Sequence, residues 1–292
     1  MKNTKFLIFF LLGGLFYACK ETPKKDADSI KKTEKEQRIV SLNGAVTEIV
    51  SALGHEKEIV ARDVTSTYPD YVRDSVRDLG HVSSISFEAV IQQNPDLIIA
   101  SEADMDEDLL QNIRGSGIDY HLFKQDYSIE GTKRLIEEVA GFIESKNAKA
   151  LEDKIDADLS GLKKFDTRPK ILFIYARGAG TLMVSGEGTP MHNIIEIAGG
   201  SNAVKEFKGF KPLTTEALIS ANPDIILLFD SGLASMEGKK GLFKNIPALK
   251  ETNAGKNEAV ISMDGGLMSG FGPRVGEAAK ELNHLIENYV EQ

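Results

Sequence analysis

The sequence has 292 residues, of which 41% are hydrophobic and 27% charged, a composition typical of a globular chain rather than a disordered or multi-span membrane one. Its single cysteine excludes an intrachain disulfide framework and thiolate metal sites, so a metal here must bind oxygen or nitrogen ligands. The formal net charge of −9 argues against a nucleic-acid partner, because binding phosphates needs clustered lysines and arginines.

The start of the chain has the pattern of a secretory signal. An apolar run from Phe6 to Ala18 follows two lysines, and it is shorter than the roughly 20 residues that span a bilayer as a helix. Cys19 comes directly after this run and resembles the lipobox cysteine that becomes acylated after signal cleavage. Residues 1–18 are therefore predicted to be a signal peptide and Cys19 the lipidation site; the alternative is an unmodified thiol.

Residues 19–37 are predicted to be the lipidated cysteine and a charged tether. Six lysines and five acidic residues lie between positions 20 and 37, with no aromatic residue, and such a segment buries too little apolar surface to offset its ordering entropy. The protein is thus expected to be anchored by lipid in the cell envelope. Lys20-Glu21 resembles a surface-export tag, which leaves the periplasmic face and the cell surface both open.

From residue 38 onward, short apolar strands alternate with amphipathic helices. Leu97–Ala100 is an apolar run suited to a strand buried on both faces of a parallel sheet. The segment Phe87–Ile99 returns at Thr215–Leu227, 215 − 87 = 128 residues later. Alternation of strand and helix predicts an α/β fold, and two copies of one unit predict two similar lobes with mainly parallel sheets.

An amphipathic helix is predicted between the two lobes. Within residues 147–164 the apolar positions recur every three or four residues, giving a helix about 27 Å long. The predicted divisions are an N-terminal lobe over 38–146, a connecting helix over 147–165 and a C-terminal lobe over 166–292, with the ligand cleft between the lobes.

Four motifs carry a resemblance to a known class of protein. They are Gly44–Gly54, Thr65-Ser-Thr-Tyr-Pro69, Leu213–Leu218 and Gly270-Phe-Gly-Pro-Arg274. The chain resembles the substrate-binding proteins of ABC importers whose two lobes are joined by one rigid helix, and within that class the haem-uptake branch. The resemblance implies a monomeric, non-enzymatic lipoprotein that delivers ferric haem to an ABC permease and its ATPase.

The same resemblance implies that Tyr68 is the axial ligand of the haem iron. A phenolate is a hard donor suited to Fe(III) and is an established haem ligand, and Pro69 biases Tyr68 away from helical geometry. The alternative is a tyrosine packed on a surface turn. Thr65, Ser66 and Thr67 of the same turn are expected to line the ligand site.

Basic and aromatic side chains near the predicted cleft are the other candidates for contact with haem. Arg62, Arg73 and Arg177 are candidate partners for the propionates, because guanidinium pairs with carboxylate through two hydrogen bonds; the alternative is solvated arginines. His81 occupies a position where the family commonly has an aromatic residue, and it is a candidate second contact or axial ligand.

A glycine-rich segment near the end of the chain is predicted to be a loop that lies against a flat macrocycle. Met268 and Phe271 are its large apolar side chains. The alternative for Phe271 is packing under the last helix.

Permease docking is expected to use one glutamate in each lobe, facing arginines of the permease. Glu48 matches the family motif in the first lobe, and Glu196 is the candidate in the second.

Other functions stay open at this stage. A purely structural or adhesive surface lipoprotein would have no saturable ligand. A cobalamin or ferric-siderophore binder would share the fold and the connecting helix. An enzyme is disfavoured, because no catalytic triad order, phosphate loop or metal-ligand histidine spacing occurs in the sequence.

Overall fold

The computed structural model describes residues 37–290, so the predicted signal peptide, Cys19 and most of the tether lie outside the described residues. The strands are β1 (Ile39–Leu42), β2 (Ile59–Arg62), β3 (Arg77–Asp78), β4 (Leu97–Ser101), β5 (Asp119–Phe123), β6 (Lys170–Ala176), β7 (Leu182–Ser185), β8 (Ser201–Asn202), β9 (Phe210–Pro212), β10 (Ile225–Phe229) and β11 (Val260–Met263).

The helices connect these strands, singly or in groups of two or three. They are α1 (Gly44–Ala52), α2 (Asp70–Ser75), α3 (Phe87–Ile91), α4 (Glu107–Gly115), α5 (Ile129–Phe142), α6 (Ala148–Ser160), α7 (Pro190–Ile197), α8 (Thr215–Ala221), α9 (Asp230–Ser235), α10 (Gly238–Asn245), α11 (Asn253–Lys256), α12 (Gly265–Gly270) and α13 (Val275–Val290). Within residues 37–290 no helix is both long enough and apolar enough to cross a membrane.

Two separate sheets confirm the predicted α/β class. The first has the order β3-β2-β1-β4-β5, and all four of its strand pairs are parallel. The second has the order β11-β10-β6-β7-β9, with β8 also pairing with β6; its β10 pairs are parallel, whereas β7 runs antiparallel to its neighbours. We refer to the half built on each sheet as the first and the second lobe.

The repeated sequence unit forms the same helix–strand pair in both lobes. In the first lobe it is α3 followed by β4, and in the second it is α8 followed by β10. Ser86 and Thr214 begin the two helices in the same way, because each side chain accepts a hydrogen bond from a backbone amide in the first turn. The β4 strand is buried along its whole length, as its unbroken apolar run predicts for a parallel sheet covered on both faces.

The helix between the two sheets in the chain is α6. It has 13 residues and is therefore about 20 Å long, shorter than the predicted 27 Å because Gly161 ends it. It packs against α5 of the first lobe and α13 of the second. Ile155 on its inner face is fully buried and belongs to the same apolar cluster as residues of both sheets, so α6 is part of a shared core rather than a free linker.

We expect Ile155→Ala to lower the free energy of unfolding by about 3 kcal/mol, because the substitution leaves a cavity between α5, α6 and α13. Urea denaturation of the variant beside the native protein measures the loss. Lys149→Ala on the exposed side of α6 is the matched control, since its close ion pair with Asp153 is exposed and surface pairs contribute about 0–1 kcal/mol. An equal effect of both substitutions would contradict the shared core.

Candidate functional site

A groove lies at the carboxyl ends of the strands of the first sheet, where it meets the second lobe. Its central cavity has a volume of about 250 Å³. In open α/β sheets ligands bind in the crevice beyond the carboxyl ends of the strands. The lining residues are Leu42, Asn43, Gly44, Ala45, Glu48, Asp63, Thr65, His81, Val82, Asp104, Gln125, Tyr127, Gly266, Ser269 and Gly270.

A second cavity continues the groove along the first lobe. Its volume is about 550 Å³, and it shares Asp104, Gln125 and Tyr127 with the first cavity. It extends to Lys124, just after β5. Together the two cavities give room within the range of small-molecule sites, about 300–1,000 Å³. Lys124 was not among the residues predicted from the sequence, because an isolated lysine carries no motif.

The second lobe closes the groove with small side chains. Gly266, Ser269 and Gly270 of α12 face the cavity, and Gly270 has no neighbouring atom in the direction that a side chain would take. Gly266, by contrast, lies against the Thr67 side chain, whose Oγ1 is 3.3 Å from the position that a Cβ would take. The groove therefore combines polar loops from the first lobe with small residues of α12 from the second.

The glycine-rich segment is a helix, and the prediction that it is a loop is wrong. Asp264 caps α12 by accepting a hydrogen bond from the amide of Leu267 at 2.8 Å. Helical winding turns Met268 and Phe271 into the core, where they are 0% and 1% exposed. Phe271 packs edge-on against Tyr127 with ring centroids 5.5 Å apart. Neither residue lines the groove, so their predicted contact with ligand is corrected to a core role.

His81 faces the groove from the loop that follows β3. It is exposed and lines the central cavity. Its Nδ1 atom accepts a hydrogen bond from the amide of Ser83 at 3.4 Å and lies 2.9 Å from Ser83 Oγ. The amide of Val64 donates to the carbonyl of Gly80 at 2.8 Å, which holds this loop against the end of β2. Within residues 37–290 no hydrogen bond engages the Nε2 atom of His81.

Tyr68 does not line the groove. Its ring lies over the guanidinium of Arg274, with Cζ 3.7 Å from the ring centroid, and it borders a different cavity of about 310 Å³ with Pro69, Leu151 and Pro273. The side chain is 44% exposed. Iron ligation by Tyr68 stays a prediction.

Arg274 joins the two lobes through Glu48. Its Nε donates to Oε2 of Glu48 at 2.8 Å and its Nη2 to Oε1 at 2.6 Å, a bidentate pair whose side chains are only 17% and 10% exposed. Burial raises the pKa of the Glu48 carboxyl above its ordinary value, although the guanidinium opposes that effect. Docking to a permease through Glu48 also stays a prediction, and the carboxylate would first have to leave this pair.

The turn that contains Thr65 and Ser66 is organised by Asp63. The Oδ2 atom accepts from the amide and hydroxyl of Thr65 at 3.1 and 2.5 Å, and Oδ1 accepts from Ser66 at 2.6 Å. Thr65 lines the groove, whereas Ser66 is fully buried. Thr67 is exposed next to Gly266 of α12. The predicted turn thus contributes one residue to the cavity lining and one to the junction between lobes.

The three predicted arginines lie in different environments. Arg62 is 6% exposed and donates to the carbonyls of residues 63, 72 and 73, so its predicted role as a propionate partner is corrected to a structural one. Arg73 lies on α2 and pairs with Asp70 and Asp74, away from the groove lining. Arg177 is exposed beyond β6, with its guanidinium 5.4 Å from the Tyr175 ring centroid.

An aromatic surface in the second lobe was missed in the sequence. Tyr175, Phe210 and Phe229 pack edge-on, with ring centroids 6.5 and 6.1 Å from Tyr175 to the other two. Tyr175 and Phe229 come at the carboxyl ends of β6 and β10, and Phe229 supports Gly265 at the start of α12. Their spacing along the chain is too wide for a local pattern to reveal this cluster.

Glu196 is held within its own lobe. It pairs with Arg168 at 2.8 Å and Lys205 at 3.0 Å and accepts from the amide of Asn202; these contacts lower the pKa of its carboxyl. By contrast, Glu88 and Glu216 occupy matching positions of the repeated unit, in the first turns of α3 and α8, and both are exposed. Neither takes part in an ion pair within the described part of the chain. The repeat itself was the signal that identifies this pair.

The fold and the groove together define a class of protein in which two α/β lobes enclose a groove for a small ligand. No group of three or more His, Cys, Asp or Glu side chains among residues 37–290 is arranged to hold a bare metal ion. Residues 39–266 match the model of the periplasmic binding protein family. The chain belongs to that family.

Known proteins resemble the chain over most of its length. The periplasmic heme-binding protein RhuT from Roseiflexus sp. RS-1, solved in its apo form, is 32% identical with a TM-score of 0.83, over 88% of this chain and 100% of that chain. The uncharacterized ABC transporter substrate-binding lipoprotein YvrC of Bacillus subtilis is 29% identical over 88% of this chain and 82% of that protein. A vitamin B12-binding protein of Vibrio campbellii is 26% identical over 73% and 78%. The named relatives are binding proteins rather than enzymes.

We expect Arg274→Ala to lower the free energy of unfolding by about 3 kcal/mol near neutral pH, because it leaves the buried Glu48 carboxylate unpaired. Without the guanidinium, burial raises the folded-state pKa of Glu48 further above its unfolded value. The stability contributed by the protonated carboxyl is then present below the unfolded pKa and is lost as pH rises through the folded pKa. Urea denaturation at about pH 5 and pH 7.5 should therefore show the larger loss at the higher pH.

Arg73→Ala is the control for this experiment, because its pairs with Asp70 and Asp74 are exposed and contribute about 0–1 kcal/mol at most. A loss for Arg274→Ala that is no greater than the control at either pH would contradict the structural role of the inter-lobe pair.

Proposed function

We propose that this protein is the substrate-binding component of an ABC importer and that its ligand is haem, held in the groove between the lobes. The observation that carries the proposal is the groove itself, which is lined by exposed His81 of the first lobe and by the small residues Gly266, Ser269 and Gly270 of α12. A planar iron porphyrin needs both a flat contact surface and a donor for the metal. The similarity to RhuT, whose name describes it as a heme-binding protein, supports the same ligand.

Two exposed cations, one in each lobe, are candidate partners for the carboxylates of a porphyrin. Lys124 borders the larger cavity in the first lobe, and Arg177 is exposed in the second lobe beside the aromatic surface. Cations pair with propionates through charge-assisted hydrogen bonds. We propose Lys124 and Arg177 as the propionate partners and Thr65 as a neutral polar contact. The protein binds and releases its ligand and catalyses no turnover.

Cobalamin is the second candidate ligand, because relatives named vitamin B12-binding proteins match 73% of the chain or more. Cobalamin also presents a flat macrocycle, so the α12 wall suits it equally. The two candidate ligands differ in whether the metal needs a donor from the protein. Ferric haem benefits from an axial donor, whereas cobalamin carries its own lower ligand.

Docking to the permease is proposed to use Glu88 and Glu216. The repeat gives these two glutamates equivalent positions in the two lobes, and both are exposed. A transporter with two similar halves would meet one carboxylate in each lobe, and arginine is the side chain suited to pair with it. Cys19 is proposed to carry the lipid that keeps the protein at the membrane.

We expect residues 36–292, which form one compact unit, to bind ferric haem with a saturable change in the visible absorption spectrum. An excess of cyanocobalamin should leave the haem endpoint unchanged. The titration is read at the Soret band, with serum albumin in a parallel cell to recognise non-specific uptake. Saturable binding of cobalamin together with no saturation by haem would contradict the proposal and favour the second ligand.

We expect Glu88→Arg/Glu216→Arg to reduce haem uptake by cells that depend on this protein by about tenfold or more, because like charges across an interface cost several kcal/mol. Haem affinity of the purified variant should not change. The matched control is Glu137→Arg/Glu251→Arg, which makes the same charge change at other exposed positions. Equal uptake by the two double variants would show that docking lies elsewhere.

A further inference from the structure

We infer that the second cavity of the groove is a carboxylate subsite, in which Ser101, Gln125 and Lys124 make the protein selective for ligands with free carboxyl groups. These three side chains line one cavity of about 550 Å³ at the carboxyl ends of β4 and β5. The inference rests on the proposed function and narrows it to a class of ligand. The ligand must be acidic at one edge, as haem is, rather than amidated, as the corrin of cobalamin is.

Two buried polar atoms of this cavity have no hydrogen-bond partner among residues 37–290. They are the Oγ atom of Ser101, a residue that is 0% exposed, and the Oε1 atom of Gln125. A buried polar group without a partner destabilises the folded state, so most such groups in proteins are paired. Two unpaired groups that line the same cavity indicate a place where a polar group of the ligand completes the hydrogen bonding.

Lys124 adds a positive charge to the same cavity. It follows β5, is exposed and takes part in no ion pair within the described part of the chain. The Ser101 hydroxyl can donate one hydrogen bond and the lysine ammonium three, and the Gln125 carboxamide can donate through Nε2 after a half-turn about its last bond. Three donors suit one anionic acceptor, because hydrogen bonds to an ionised acceptor are about twice as strong as neutral ones.

The acidic residues of the lining leave one end of the cavity suited to an anion. Glu102 is paired with Arg114, which neutralises its charge. Asp104 also lines the central cavity of the groove, whereas Ser101 and Lys124 do not. The lining therefore places Asp104 toward the centre of the groove, and the hydroxyl and the ammonium lie at the outer end.

The subsite discriminates between ligands of the same size and shape. A free carboxylate accepts from all three donors and neutralises Lys124. An ester at the same position accepts more weakly and leaves the ammonium without a counter-charge. A site with buried polar groups rejects an analogue that leaves those groups unpaired, so Ser101 and Gln125 are specificity-determining residues rather than general contacts.

The test compares ferric haem with its dimethyl ester, which has the same iron and ring but no free carboxyl group. Both are titrated into the full-length protein in the same detergent solution, and binding is read at the Soret band. The native protein should bind haem at least about tenfold more tightly than the ester, because the loss of one charge-assisted hydrogen bond costs about that factor. Ser101→Ala, Lys124→Gln and Gln125→Met should each weaken haem binding and leave the affinity for the ester unchanged.

Two matched controls separate selectivity from general damage. Ser185 is also a fully buried serine whose Oγ atom has no partner within the described residues, but it lies on β7 and does not line this cavity. Lys146 is an exposed lysine that follows α5. Ser185→Ala and Lys146→Gln should keep the preference for haem. Thermal unfolding checks the fold of Ser101→Ala, whose melting temperature should not fall, because the substitution removes an unpaired hydroxyl.

The outcomes distinguish the inference from the proposed function. A native protein that binds haem no more tightly than the ester would overturn the carboxylate subsite and leave haem binding in place. A preference for haem that survives in all three cavity variants would do the same, and a single variant that keeps it removes that residue from the subsite. A native protein that saturates with neither compound would overturn the proposed function itself.

Discussion

The two lobes are held together by their shared apolar core and by one charged contact, made by the guanidinium of Arg274. It forms a bidentate pair with Glu48 across the lobe junction and lies against the ring of Tyr68, so a residue from the second lobe is held on two sides by the first. Only arginine presents a planar face for stacking and a fork of donors at once. Two further hydrogen bonds cross the junction, from Thr132 to the carbonyl of Phe271 and from Asn193 to the carbonyl of Tyr127.

This junction gives Tyr68 and His81 different surroundings, although both lie in loops that follow strands of the first sheet. Thr65 faces the groove, and three residues later Tyr68 faces Arg274 on another side of the turn. The orientation follows from the Asp63 network, which fixes the turn from within. A motif shared with a family locates such a turn in the sequence, but it does not determine which of the side chains reaches the ligand.

Local patterns predicted strands such as β4 and helices such as α6, because these elements follow from apolar periodicity over a few residues. The repeat at 128 residues predicted two lobes, because two copies of one unit form two similar halves. Predictions failed where distant residues decide the outcome. The bidentate pair that Glu48 forms with Arg274, 226 positions away, was likewise beyond the reach of local patterns, whereas docking through Glu48 stays a prediction. The glycine-rich segment looked like a loop, yet an Asp264 cap and the burial of Met268 make it a helix, a tertiary effect that propensity does not contain.

The buried core limits how the groove can open. One apolar cluster contains residues of both sheets and of α1, α5, α6 and α13, including Ile49, Ile155 and Leu282. Wide separation of the lobes would expose this surface at a cost of about 25 cal/mol for each Å². The loops that carry Thr65, His81 and Asp104 contribute far less to that cluster. Movement of these loops against α12 therefore costs less free energy than a hinge motion at α6, and it is the favoured route for ligand entry. A permease that binds both lobes would favour ligand release by displacing the same loops.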